Sequence, residues 1–161
     1  MAKKGFTLIE LLIVISIIAI LASVVFVALD PLKRFQDARD SSRWADISAL
    51  ISAVKVYQVD NGGNYPTAIA DSMGAGSTYM IGTDTEGCNL TCDTAVGGSA
   101  YCVDLTALVT AGYLGEVPVS PNGTGTWDAG LTGYTITKYD TGIIKVAACE
   151  SENSDSISIS K

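Results

Sequence analysis

Residues 6–29 form an unbroken apolar run of twenty-four residues whose only polar members are Thr7, Glu10, Ser16 and Ser23. As an α-helix the run would extend about 36 Å at about 1.5 Å per residue, which crosses a hydrocarbon core of about 30 Å with modest tilt. It is longer than the roughly 7–15 apolar residues of a secretory signal, and no small-x-small cleavage site closes it. The run therefore predicts a membrane span. Five residues precede it, Met1-Ala2-Lys3-Lys4-Gly5, a short basic leader that ends in glycine.

Glu10 sets this span apart from a plain anchor. A carboxylate at the centre of a bilayer costs roughly 2.5–3.5 kcal/mol by insertion scales, less near the interface, so an acid in such a helix marks function by default. Within helical reach the chain offers isoleucine and valine at positions 13, 14 and 17 and a neutral threonine at position 7. A cut after Gly5 would create a new α-amine on Phe6, which on this chain or a packed neighbour could neutralise Glu10.

The string Lys3-Lys4-Gly5-Phe6-Thr7-Leu8-Ile9-Glu10-Leu11-Leu12 resembles the processing signal and helix start of the type IV pilins and the related pseudopilins. The resemblance covers about the first thirty residues and requires a basic leader, a glycine, a Phe and a Glu four residues after it. It implies that a prepilin peptidase cuts between Gly5 and Phe6 and N-methylates Phe6. It also implies that Glu10 orients each subunit by pairing with the Phe6 amine of a neighbour in the growing filament. The partners it implies are further copies of the chain, the peptidase, and a membrane assembly platform with its ATPase. The chain would begin as a single-pass precursor in the cytoplasmic membrane with its head outside, and end in a surface or periplasmic filament. Lys3 and Lys4 favour a cytoplasmic leader by the positive-inside rule. Lys33, Arg34, Arg39 and Arg43 blur that rule, so orientation rests on the resemblance.

Composition limits what the remainder can do. At 161 residues the chain holds one small domain beyond the span. Residues 61–161 carry Lys138, Lys145 and Lys161 against eleven Asp and Glu, a net charge of −8. Such a head does not support nucleic-acid binding by phosphate neutralisation, which needs clustered Lys and Arg. There is no histidine, and no nucleophile-elbow, zinc-protease or phosphate-loop pattern, so the chain is not expected to be an enzyme or to need a cofactor. Cys88, Cys92, Cys102 and Cys149 all lie beyond the span, and an even count on an exported head predicts disulfides over a four-thiolate zinc site, which would show paired Cys-x-x-Cys knuckles. Of the three pairings, Cys102 with Cys149 ties a helix start to a late strand and Cys88 with Cys92 closes a local loop; that pair is the expectation.

Taken in order, the chain divides into a leader (1–5), a membrane and filament-core helix (6–29), the amphipathic second half of that helix (30–60) and a globular head (61–161). Asp30-Pro31 predicts a bend, either as a proline inside one helix or as an Asp N-cap with Pro at the first position of a new segment. Trp44, Ile47, Ile51 and Val54, widened by Leu50 and Tyr57, form an apolar stripe, which places the charges from Lys33 to Asp46 mostly on a solvated face. The whole helix to Asp60 would measure on the order of 80 Å if continuous. Asn61-Gly62-Gly63-Asn64-Tyr65-Pro66 stops it. Residues 67–100 read as a loop-rich insert. Asp104 caps a short apolar helix that ends at Gly112. Residues 134–139 and 143–149, joined by Asp140-Thr141-Gly142, read as a hairpin, and residues 156–160 as an added edge strand or a frayed tail.

Asn89-Leu90-Thr91 and Asn122-Gly123-Thr124 match the glycosylation triplet, a motif too short to be informative alone. Residues 113–123 resemble the passage that leads into the sheet of major pseudopilins, but Ser120 stands where those relatives often carry an acid, and no Asp cluster follows. No metal is expected. The fold expectation is α+β, a long N-terminal helix packed on a small antiparallel sheet, pilin-like. The functional expectation is a filament subunit of a type IV pilus. A secretion pseudopilin and a DNA-uptake pilin share the same motif, and a membrane-anchored binding domain that never polymerises is the rival of another class.

Overall fold

The computed structural model describes residues 5–88, 92 and 101–161. Their order is α1 (Leu8–Leu29), α2 (Pro31–Asp60), α3 (Thr67–Ala70), β1 (Thr78–Met80), α4 (Thr106–Thr110), β2 (Tyr134–Lys138), β3 (Ile144–Ala148) and β4 (Ser158–Ser160). They fall into two units, the residues up to Phe35 and those from Gln36 onward. The fold is α+β and pilin-like, a long N-terminal helical segment with a small antiparallel sheet.

In the first unit α1 spans 22 residues, none of them buried. At about 1.5 Å per residue this is roughly 33 Å, long enough to cross a bilayer. Its two serines satisfy themselves inside the helix, Ser16 Oγ donating to the Leu12 carbonyl at 2.7 Å and Ser23 Oγ to that of Ile20 at 2.8 Å. No polar hydrogen of theirs then needs water, a condition for sitting in lipid. The helix is interrupted at Asp30, the one described non-glycine residue with positive φ, at 38°. Pro31 supplies no N–H, and Asp30 turns its Oδ1 to the Lys33 N–H at 3.4 Å while its carbonyl accepts from the Arg34 N–H at 3.2 Å. Of the two readings of Asp30-Pro31, this is the Asp cap with Pro at the first position of a new segment.

In the second unit α2 buries Ile47, Leu50, Ile51 and Val54, each fully. The spacing of three and four keeps them on one face. They join Tyr79, Tyr134, Ile136, Ile144 and Val146 in the main core. Burying each such aliphatic chain contributes about 1.5–3 kcal/mol. Trp44, expected in this stripe, is 40% exposed, and Arg43 is the neighbour that turns inward, with no exposure. Asp40 is buried as well, so these two are the exceptions to the expectation that the charges from Lys33 to Asp46 lie mostly on a solvated face.

The sheet runs β1-β2-β3-β4, every pair antiparallel. Its central hairpin has the predicted turn, closed by Tyr139 N–H on the Ile143 carbonyl at 2.9 Å and Gly142 N–H on the Tyr139 carbonyl at 3.0 Å. β4 is the expected edge strand. β1 was read as loop, and so was the short helix α3; the insert from residue 67 supplies both. A second small cluster unites Met80, Cys88 and Trp127, with Cys92, Cys102, Leu131 and Cys149 around it. There the indole of Trp127 lies so close to Gly125 and Gly133 that a Cβ on either would come within 2.5 or 2.6 Å of it. Only glycine fits on either side of that ring.

The cysteine pairing differs from the expectation. Cys88 bonds Cys102, and Cys92 bonds Cys149. The sheet explains why. Val103 lies beside Ile81 in a parallel bridge, and Cys102 N–H donates to the Asp84 carbonyl at 3.0 Å, which sets Cys102 against the turn that carries Cys88. Cys149 follows β3, its N–H on the Gly133 carbonyl at 2.9 Å, and is left facing Cys92.

Candidate functional site

The start of α1 is built on Thr7. Its backbone is extended, and its hydroxyl accepts the Glu10 N–H at 3.3 Å. Glu10 reaches back, its Oε2 accepting the Thr7 N–H at 2.8 Å and the Thr7 hydroxyl at 2.6 Å. This is a capping box, which satisfies two of the backbone donors that a helix start leaves open. The sequence reading that the chain offers Glu10 no partner is therefore corrected. The signal was present as Thr-x-x-Glu, and charge was sought where a hydrogen-bond donor sufficed. Both bonds fall on Oε2, and Glu10 remains exposed. Gly5 and Phe6 precede the helix, and Phe6 is 88% exposed. The Gly5–Phe6 peptide is thus outside helical structure. Lys3 and Lys4 lie outside the described residues.

A second constellation was not foreseen. The Arg43 guanidinium meets Asp40 Oδ1 at 2.8 Å, Glu150 Oε1 at 2.8 Å, Glu152 Oε1 at 3.0 Å, the Pro121 carbonyl at 2.9 Å and Ser120 Oγ at 3.1 Å. Arg39 pairs with both oxygens of Glu152 from the rim. Asp40 also accepts the backbone N–H groups of Glu152, Asn153 and Ser154 at 2.9–3.1 Å. Glu150 accepts from the N–H groups of Gly123, Thr124 and Gly125, from the Thr124 hydroxyl, and from the Trp127 indole at 2.9 Å. Burial pushes the Glu150 carboxyl upward, but the Gly125 N–H, the indole and Thr124 outweigh it and bring it down to about 2. Burial likewise raises Asp40, and the Asn153 and Glu152 N–H groups with Arg43 outweigh it, leaving it below its ordinary value. Glu152 is held down first by Arg39.

This cluster fastens the first turns of α2 in the head to the segment after β3. Among the described residues no buried side-chain nitrogen or oxygen is left without a hydrogen-bond partner. The signal that could have found it is the spacing 40, 43, 47, 50, 51 and 54 on one helical face, which continues the apolar stripe into a charged pair. Ser120 meets the guanidinium, and among the described residues no group of three or more His, Cys, Asp or Glu is placed to hold a metal ion. Of the two glycosylation triplets, Asn89-Leu90-Thr91 lies outside the described residues. In the other, Thr124 is bonded to Glu150 and Asn122 Oδ1 accepts the Trp127 N–H at 2.8 Å, so both ends serve the cluster.

Comparison with known proteins adds one finding. Residues 1–26 match the family described as the prokaryotic N-terminal methylation motif. No curated protein and no solved structure matches the chain.

Proposed function

From a chain that carries the signature of type IV pilins and pseudopilins over residues 1–26, we propose a structural subunit of a type IV pilus-like filament, made as a membrane-anchored precursor. Prepilin peptidase cuts between Gly5 and Phe6, and Phe6 is N-methylated. The assembly platform and its ATPase then move α1 from the bilayer into a bundle of identical helices. The observation that carries this reading is the methylation motif itself, at the head of an apolar helix with no buried residue.

The physical logic follows from the solvent. Lipid is as apolar as a helix bundle, so association draws on packing and on polar pairs rather than on escape from water. Glu10 supplies such a pair by exchanging or sharing its Thr7 bonds with the Phe6 amine of a neighbour. A buried ion pair fixes register more securely than it adds net stability. The head contributes no catalysis in this scheme.

Glu10→Ala tests the assembly role. Membrane insertion and cleavage are expected to proceed, with filaments lost from sheared surface material viewed by electron microscopy. Normal filaments would remove Glu10 from the mechanism. The secretion pseudopilin and DNA-uptake pilin share the motif and predict the same outcome. An anchored domain that never polymerises predicts no filaments from the parent chain either.

A further inference from the structure

A groove of about 410 Å³ lies beside the β2–β3 turn, where Asn64, Tyr65, Lys138, Tyr139, Asp140 and Gly142 come together. Its volume falls within the roughly 300–1,000 Å³ of small-ligand sites. Part of its wall is fixed in advance. The Tyr65 hydroxyl donates to the Gly142 carbonyl at 2.7 Å, and Lys55 Nζ donates to the same carbonyl at 3.1 Å while lying 5.8 Å from the Tyr65 ring centre. The Lys138 ammonium is held by the carbonyls of Ile69 and Ala70 at 3.0 and 3.1 Å. Asn64 Nδ2 donates to the Asn61 carbonyl at 2.9 Å, which fixes its amide plane. Walls ordered before a ligand arrives lower the entropy lost on binding.

Tyr139 and Asp140, at the start of the turn, complete the groove. The turn uses only the backbone of Tyr139, yet its side chain is 40% exposed beside the exposed carboxylate of Asp140. Two phenol rings offer apolar faces with polar tips, Asp140 only accepts hydrogen bonds, and the Tyr139 hydroxyl both donates and accepts. Lys138 and Asp140 oppose one another in sign, so the groove selects neither anions nor cations. An apolar ligand would strand the carboxylate and the amide. A neutral ring with apolar C–H faces and a rim of hydroxyls satisfies all of these groups together. We propose that this groove binds a neutral saccharide, a property that does not depend on whether the chain polymerises.

The test uses the full-length protein, isotopically labelled, in a detergent without a sugar headgroup. It is titrated separately with maltose, cellobiose, lactose and diacetylchitobiose at millimolar concentration, and with inorganic phosphate. The expected result is saturable shifts of the Gly63, Ala75, Asp140 and Gly142 amides with at least one disaccharide, weakened about tenfold by Tyr139→Ala and weakened again by Asp140→Asn. The amides of β2 and β3 report folding in each variant, and Asp140→Asn alone carries the test should Tyr139→Ala disturb them. Absence of shifts with all four sugars, shifts undiminished in the folded variants, or the same shifts with phosphate overturn the proposal.

Discussion

Replacing Arg43, which has no exposure, with methionine would leave Asp40 and Glu150 without a guanidinium partner and Glu152 with Arg39 alone. Removing one partner of a buried charge group costs about 3–5 kcal/mol, and chemical denaturation of the head should show a loss of that order. Arg39→Met removes a pair whose arginine is 31% exposed, and the same measurement should register about 1 kcal/mol or less. Acid makes a separate prediction. The Glu150 carboxyl is held at about 2 against an ordinary 4.5, so it stabilises the fold fully above about pH 4.5 and the effect is lost as pH falls through about 2. Glu150→Gln should flatten the pH dependence of unfolding in that window; an unchanged slope would show that the carboxylate is not held this way. The spacing on α2 marks Asp40 and Arg43, but their acidic partners are not readable from sequence, because Glu150 and Glu152 lie 107 and 109 residues from Arg43.

The elements whose signals are local were legible, and those whose signals are shared across the chain were not. The hairpin of β2 and β3 showed in its alternation and in Asp140-Thr141-Gly142, and α2 in its spacing of Ile47, Leu50, Ile51 and Val54. β1 did not show, since Thr78-Tyr79-Met80 is three residues long within a Gly-rich stretch and becomes a strand through pairing with Thr135, Ile136 and Thr137. The disulfides were misread for the same reason: the register of the sheet chooses the partners, whereas proximity in sequence favours Cys88 with Cys92. Two expectations follow for packing and cross-linking. Leu50→Ala should cost about 2–5 kcal/mol, whereas Trp44→Ala, 40% exposed, should stay within about 0.5 kcal/mol in the same urea titration. Loop-closure entropy gives about 4 kcal/mol for Cys92–Cys149, separated by 57 residues, and about 3 kcal/mol for Cys88–Cys102, separated by 14. Paired alanine variants should therefore lose stability in that order, and the reverse order would contradict the entropic account.

Across the whole molecule the two units answer to different solvents. The head from Gln36 onward carries the core, the sheet, the disulfides and the charge cluster, and its unfolding is the quantity all the stability predictions read. The N-terminal unit has its own test. Gly5→Ala should leave an uncut precursor in the membrane, seen as an intact mass that retains residues 1–5, with the head still oxidised and folded; cleavage at the normal rate would place peptidase recognition elsewhere. The N-terminal motif is legible because it is a contiguous string, whereas the charge of Glu10 points to an ionic partner and masks the Thr7 donors beside it. That α1 keeps no side chain buried has a corollary for heredity. Lesions there would leave thermal melts and refolding of the head unchanged, so the two parts of this gene product are free to drift at separate tempos, the head judged by its own interior.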